Sequence, residues 1–395
     1  MSKKRFIVIG ITDGREPEFP RAVREAIASG RVFSGGKRHH EIVASLLPEG
    51  AQWIDITVPL DAVFEQYEQH SEVVVFASGD PLFYGFAGTL KRRLPEAVIK
   101  VFPAPNSLQL LAHRMCLPYE EMRCVSLTGR PWDAFDKALI TGERIVGALT
   151  DRQKTPAEAA SRMLEYGYDN YKITVGEALG NESAERVRTM TLKEAAAADF
   201  AFPNCLILEK TADRPRPFGI PESEFELLDG RAKMITKMPI RLLTLQALGL
   251  RSRRSFWDVG FCTGSVSIEA KLQFPDLQVT SFEIREEGRR LMEINSRRFG
   301  APGINAIIGD FLDTDLSALP APDAVFIGGH GGKLKEILQR IDSVLLPGGV
   351  IVFNSVSEES LALFEEGVKA VGRHISGRTR VAIDEFNPIV ILSAE

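Results

Sequence analysis

The chain has little cysteine, and what it has follows no pattern. Cys116, Cys124, Cys205 and Cys262 are the four in 395 residues, with neither a C-x-x-C pair nor metal-ligand spacing. That excludes a disulfide framework and a thiolate metal site, so free thiols in a reducing compartment are expected. Long apolar runs are also missing. The start, MSKKRFIVIGITDG, holds only a short apolar run from Phe6 to Ile11, and nothing approaches the ~18 residues of a membrane span. A cytoplasmic protein without a membrane partner is the expectation. A basic excess is absent too: 48 Lys and Arg stand against 53 Asp and Glu, for a net charge of −5. Nucleic acid is therefore not an expected partner, and an anionic ligand must find local positive patches.

What is present is an ordinary globular composition, 44% hydrophobic and 26% charged. Its length exceeds what one core supports and suggests two or three domains. The run from Thr211 to Pro221, TADRPRPFGIP, is proline-rich, charged and aperiodic, as expected of a semi-rigid linker. It divides the chain into domains at 1–210 and 222–395.

Short β-rich runs alternate with helical ones on both sides of this linker. Before it, strands are expected at Arg5–Ile11, Val32–Gly35, Trp53–Ile56, Val73–Ala77 and Val98–Phe102. Such alternation indicates an α/β class with a mostly parallel sheet and ligands at the strand carboxyl ends. After it, Ser255–Val259 reads as a buried strand, Gly260-Phe261-Cys262-Thr263-Gly264 as a tight turn and Ser265–Phe274 as a helix. A second strand runs from Leu277 and is followed by Glu283. Strand, glycine turn, helix, strand and acid make the nucleotide-binding half of a doubly wound sheet, and the acid can accept both hydroxyls of a ribose. The dinucleotide fingerprint is not met, because Cys262 and Ser265 stand where its later glycines belong. Two late segments, Arg378–Asp384 and Pro388–Leu392, suggest an antiparallel edge.

Asp258-x-Gly260-x-x-x-Gly264 resembles the first motif of the S-adenosylmethionine (SAM) methyltransferases, with Cys262 in place of the middle glycine. In the first 210 residues, Gly79-Asp80-Pro81, Pro103-x-x-Asn106-Ser107, Ser126-Leu127-Thr128-Gly129-Arg130 and Gly176-Glu177-x-Leu179-Gly180 resemble the tetrapyrrole methylase family. Gly35-Gly36-Lys37-Arg38-His39 and the run Gly79 to Gly85 are most similar to its corrin-pathway branch that methylates carbon 5. One departure is plain: the family's first loop is Gly-x-Gly-Pro-Gly, and this chain has Gly10-Ile11-Thr12-Asp13-Gly14. The second half is similar to corrin-pathway enzymes that methylate carbon 15 and remove a carboxylate. Ile235-Thr236-Lys237, Ser265 to Glu269, Phe326-Ile327-Gly328-Gly329-x-Gly331-Gly332 and Pro347-Gly348-Gly349 carry that likeness. No Asn-Pro-Pro-Tyr, the usual holder of a planar amine, stands at this strand end.

The resemblance implies a two-lobed tetrapyrrole methylase fold followed by a Rossmann-like class I methyltransferase domain. It implies a bifunctional cobalamin-biosynthesis enzyme that transfers methyl groups from two bound SAM molecules to a tetrapyrrole, with a decarboxylation, and a homo-oligomer. Gly10, Gly79, Asp80, Pro81, Ser107 and Thr128 are the cofactor candidates of the first half. Thr236, Gly260, Phe261, Cys262, Thr263, Gly264, Glu283, Asp310 and Phe311 are those of the second. Lys37, Arg38 and Arg241 are candidates for substrate carboxylates, Gly328, Gly329 and Gly331 leave room for a bulky flat substrate, and His330 and Lys333 are the catalytic candidates. No metal is expected. Blander readings stay open: Asp80-Pro81 is ordinary turn chemistry, Lys37-Arg38-His39-His40 suits a solvated helix start, and His330 suits a plain loop residue. So do two rival functions, SAM chemistry on a sirohaem-type tetrapyrrole or RNA, and a one-site protein with a regulatory first domain.

Overall fold

The computed structural model describes residues 3–231, 234–383 and 388–395. Asp384, the end expected for one late strand, lies outside the described residues. Two compact units are present. One comprises Met1–Pro131, Glu143–Ser161 and Tyr171–Ala212; the other comprises Trp132–Gly142, Arg162–Asn170 and Asp213–Glu395.

The first unit opens with β1 (Arg5–Ile11), β2 (Val32–Gly35), β3 (Gln52–Asp55), β4 (Glu72–Ser78) and β5 (Val98–Phe102). They form a parallel sheet in the order β3-β2-β4-β1-β5. The inner positions of β1 and β4 are apolar and buried because both faces are covered. Phe6 and Val8 face one cluster with Tyr67, Val73 and Val75. Ile7, Ile9 and Ile11 face another with Val23, Ile27, Val74 and Phe76. The period of two thus divides each strand between two cores.

A second sheet holds β6 (Arg123–Ser126), β7 (Ile145–Leu149), β8 (Tyr171–Glu177), β9 (Arg186–Thr191) and β10 (Asn204–Lys210) in the order β6-β7-β10-β8-β9. This sheet, for which no strands were expected from the sequence, is mostly antiparallel. Only β6 and β7 run parallel; β10 is antiparallel to β7 and β8, and β8 to β9. The short connection from β8 to β9 permits a hairpin but no crossover helix.

The second unit carries β11 (Ser255–Val259), β12 (Gln278–Glu283), β13 (Ile304–Ile308), β14 (Ala324–Ile327), β15 (Val350–Ser355), β16 (Ile375–Val381) and β17 (Ile389–Ala394). Their order is β13-β12-β11-β14-β15-β17-β16, parallel up to β15 and antiparallel beyond it. Trp257, Val259, Val325 and Ile327 pack on one face. Phe256, Ala324, Phe326 and Val352 pack on the other.

A buried ion pair ties the start of this unit to its helices. Arg241, on the helix Met238–Leu248, donates to Glu269 Oε2 at 3.2 Å, and both side chains are 0% exposed. Glu269 also accepts from the nitrogens of Gly219 and Ile220. Arg241 in turn donates to the carbonyls of Thr236 and Ile220. The end of the proline-rich stretch is therefore clamped to the unit. Replacing Arg241 by Met leaves a buried carboxylate without its cation, which costs about 3–5 kcal/mol. Urea unfolding of Arg241→Met should show a loss of that size; an unchanged midpoint would refute the clamp.

Candidate functional site

The carboxyl ends of the second unit's parallel strands surround a cavity of ≈ 800 Å³. Its walls include Thr236, Asp258, Gly260 to Cys262, Glu283, Asp310, Phe311, Gly328 to Gly331 and Lys333. The five strands that end there are short and parallel, so the loops that follow them all converge on one edge of the sheet.

The turn after β11 is held from two sides. Gly260 and Phe261 both donate to the Phe282 carbonyl, and Cys262 N donates to Glu283 Oε2 at 2.8 Å. Glu283 is 3% exposed. Its other oxygen accepts from the Arg285 nitrogen at 3.1 Å and from the Arg285 guanidinium at 3.2 Å. With two donors on Oε1 and one on Oε2, Oε2 keeps a lone pair for a ribose hydroxyl, and Glu283 lines the cavity. Gly288 fixes this pose, since a Cβ there would lie 2.6 Å from Glu283 Cγ. The sequence reading passed over Gly288, although a glycine in the first turn of a helix is a visible signal.

Asp258 is 1% exposed. Ser267 donates to its Oδ2, while Oδ1 has no partner among the described residues. Burial pushes its carboxyl up to about 7. Thr263 Oγ1 is likewise buried without a partner. A cavity of this volume, walled by an unpartnered acceptor, a pinned carboxylate and a β-strand–glycine-turn–helix, fits SAM, whose ribose and amino groups are donors.

Two glycines of this turn make room for neighbouring protein atoms. Gly260 has φ of +80°, and a Cβ on it would lie 2.6 Å from Gly329 N, so its free space is filled by protein backbone. Gly264, φ +76°, abuts the Met292 sulfur instead. Cys262 occupies the left-handed region at φ +51° without being glycine, and burial raises its thiol to about 11. It is no nucleophile at neutral pH.

At the rim, Lys333 Nζ donates to Asp310 Oδ2 at 2.8 Å, and Leu312 N donates to Asp310 Oδ1 at 2.9 Å. The Lys333 contact holds the Asp310 carboxyl below its usual range. His330 is half-buried, and that burial lowers its pKa. Gly332 N donates to His330 Nδ1 at 3.2 Å, so in the neutral ring Nε2 carries the proton and is a donor. Gly328, Gly329 and Gly331 are exposed beside it. Arg241 does not join them. Its guanidinium is fully enclosed and spent on Glu269 and two carbonyls, which corrects its assignment to substrate carboxylates.

In the first unit, the loops after β1, β4 and β5 meet. Gly79 N donates to Ile11 O at 2.7 Å, and Ala104 N donates to Gly79 O at 3.3 Å. A Cβ on Gly10 would lie 2.6 Å from Ala104 N, and one on Gly79 would lie 2.7 Å from Asn106 Cα. Both are glycine because neighbouring backbone fills their Cβ space. Asp80 caps its own turn through Leu82 N at 2.8 Å, Pro81 is buried, and Ser107 opens the helix that Asn106 caps. Thr128 lies in the turn after β6, its hydroxyl given to Thr150 O at 3.1 Å. The two loop sets are joined by Tyr84, whose hydroxyl donates to Cys124 O at 3.0 Å while Arg130 lies over its ring. Tyr84 is held at φ +54°, and nothing in its sequence context signals this.

Lys37 is exposed, and Arg38 is not free. Its guanidinium donates to Asp13 Oδ1 at 2.8 Å and to Ser78 Oγ at 2.9 Å. The aspartate that breaks the family's first loop thus arrives with its own counter-charge.

A strand-end cavity beside a glycine turn and a ribose-suited acid in one unit, and a fully parallel sheet with its own strand-end loops earlier in the chain, define a two-domain methyltransferase. A family model described as tetrapyrrole (corrin/porphyrin) methylases matches residues 5–196, and one described as a precorrin methyltransferase domain matches residues 228–392. A relative in Sinorhizobium sp, precorrin-6Y C(5,15)-methyltransferase (decarboxylating), is 35% identical over 97% of this chain and 91% of its own length. A relative of the same name in Mycobacterium tuberculosis is 30% identical over 93% of this chain and 91% of its own. The solved precorrin-6Y C5,15-methyltransferase from Geobacter metallireducens is 32% identical and covers 46% of this chain and 99% of that one, with a TM-score of 0.42. The chain belongs to the precorrin-6Y C(5,15)-methyltransferase (decarboxylating) family.

Two outcomes follow from the geometry. Asp258 has a folded pKa above its unfolded value, so the unfolded state releases its proton first and stability falls as pH rises from about 4 to about 7. Asp258→Asn should flatten that decline, and melting curves across this range will show it. Cys262→Gly should relieve the left-handed strain and raise stability by up to about 1 kcal/mol after the entropy cost of glycine, measured by urea unfolding.

Proposed function

We propose that this chain catalyses two methyl transfers from SAM to precorrin-6Y, or its cobalt form, with loss of carbon dioxide from an acetate side chain. In this reading residues 222–395 methylate carbon 15 and decarboxylate, residues 1–210 methylate carbon 5, and residues 211–221 link them. Each part holds one SAM, and the enzyme works in the cytoplasm as a homo-oligomer. The shared name and near-complete coverage of the two relatives favour this reading. The observation that carries it is the Glu283-walled cavity, which opens between a SAM-suited wall and a rim of glycines and donors.

On this assignment Glu283 takes the ribose hydroxyls, Asp258 and the 260–264 turn take the amino-acid end, and Thr236, Asp310 and Phe311 complete the wall. SAM, when bound, supplies an activated methyl on sulfur. The protein's part is alignment, which is worth roughly 7–11 kcal/mol when the reactants are held in a near-attack pose. His330 Nε2–H and Lys333 face the substrate side. Lys333 reaches a substrate carboxylate by exchanging partner with Asp310, and the glycines 328, 329 and 331 leave room for the ring. In the first part Gly10, Gly79, Asp80, Pro81, Ser107 and Thr128 line the SAM side, and Lys37 and Arg38 the substrate side.

The test is the full chain with methyl-labelled SAM and precorrin-6Y, read by mass spectrometry, because each methyl and each lost carboxyl shifts the mass separately. Two added methyls and one lost carbon dioxide are expected, with Glu283→Ala abolishing the second-part methylation. No labelled tetrapyrrole from the intact chain would overturn the reading.

A further inference from the structure

We propose that Ser78, at the carboxyl end of β4, is a substrate-binding residue of the first unit whose hydroxyl donates to a carboxylate of the macrocycle. The inference rests on the reading that this unit methylates a tetrapyrrole.

It follows from where the protons go. Ser78 Oγ sits 2.9 Å from Arg38 Nη2 and 2.9 Å from His39 Nε2. Arginine can only donate. The histidine's role is set by its other nitrogen, because Gly36 N donates to His39 Nδ1 at 3.2 Å and that atom carries no proton. Burial, with Arg38 beside it, lowers the His39 pKa to about 4, so the ring is neutral at pH 7 and its one proton is on Nε2. Both neighbours therefore donate to Ser78, and both of its lone pairs are occupied. Its own proton must point elsewhere. Ser78 is exposed, and no group accepts that proton among the described residues.

The surroundings decide what it can meet. Asp13 is the acceptor of this cluster, and it is already engaged by Arg38 at 2.8 Å and by Asn181 Nδ2 at 3.4 Å. What remains at the surface is donors: the Ser78 hydroxyl, the outer edge of the Arg38 guanidinium, and exposed Lys37 just before it in the chain. A ligand seated here must accept hydrogen bonds and carry negative charge. The carboxylates that edge a corrin precursor do both, whereas an amine or an amide N–H does not. The hydroxyl is also pre-oriented, since its rotor is fixed by two donors before any ligand arrives, and little ordering is left to binding. Arg38 and His39 act through Ser78 as positioning residues.

The test uses the full chain, so that carbon-15 methylation with decarboxylation serves as an internal control while carbon-5 methylation is read in the same mass spectrum. Ser78→Ala should raise KM for carbon-5 methylation about tenfold to a hundredfold, the range expected for a lost hydrogen bond to a charged group, with kcat close to that of the unsubstituted chain. Ser78→Thr, which keeps the hydroxyl, should restore KM. The other activity should be unchanged in both, which also reports folding. An unchanged KM in Ser78→Ala, or a loss that Ser78→Thr does not restore, would overturn the proposal. Absence of carbon-5 methylation in the unsubstituted chain would instead overturn the functional reading, and this inference with it.

Discussion

Backbone meeting backbone at the strand ends is the constraint on which the rest depends. In the first unit the loop after β1 touches the loops after β4 and β5, with Gly10 and Gly79 at the crossings. In the second, the turn after β11 touches the loop after β14, with Gly260 against Gly329. A Cβ on Gly10, Gly79 or Gly260 would stand under 3.0 Å from a main-chain atom. Parallel strands of one sheet end side by side, so their loops leave at the same edge and crowd one another before any ligand arrives. Glycine resolves the crowding, and the site is what the resolved loops leave open.

The two units reach similar loop geometry with different electrostatics. The second unit buries acids: Asp258 and Glu283 are nearly inaccessible, and one oxygen of Asp258 has no partner among the described residues. The first places its charges in compensated sets, Asp13 with Arg38 and Asn181, near a half-buried neutral histidine. An excess of buried acid suits a donor-rich, cationic guest, and compensated cations suit an anionic one.

Much of this was legible in the sequence. Apolar runs bounded by glycine placed β1, β4, β11 and β12 within a residue or two, and Gly260 to Glu283 emerged as one wall because local order along the chain is also order along the sheet edge. What was hidden depends on partners far apart in sequence. Arg241 reads as the polar side of a helix start, and nothing near it shows that Glu269, on another helix, will enclose it. Asp13 reads as an uncompensated charge until the helix beginning at Lys37 brings Arg38 beside it. The second sheet went unplaced for a related reason: its strands pair out of chain order, β10 lying between β7 and β8.

The cations at both proposed substrate edges, Arg38 and Lys333, are already held by carboxylates of the same chain, Asp13 and Asp310. A dissolved anion must compete with a tethered rival whose effective concentration far exceeds its own. A single acetate or phosphate gains little by that exchange. A rigid disc with several acidic arms can lose at one contact and still win on the sum, so the edge discriminates by the number of charges a guest carries.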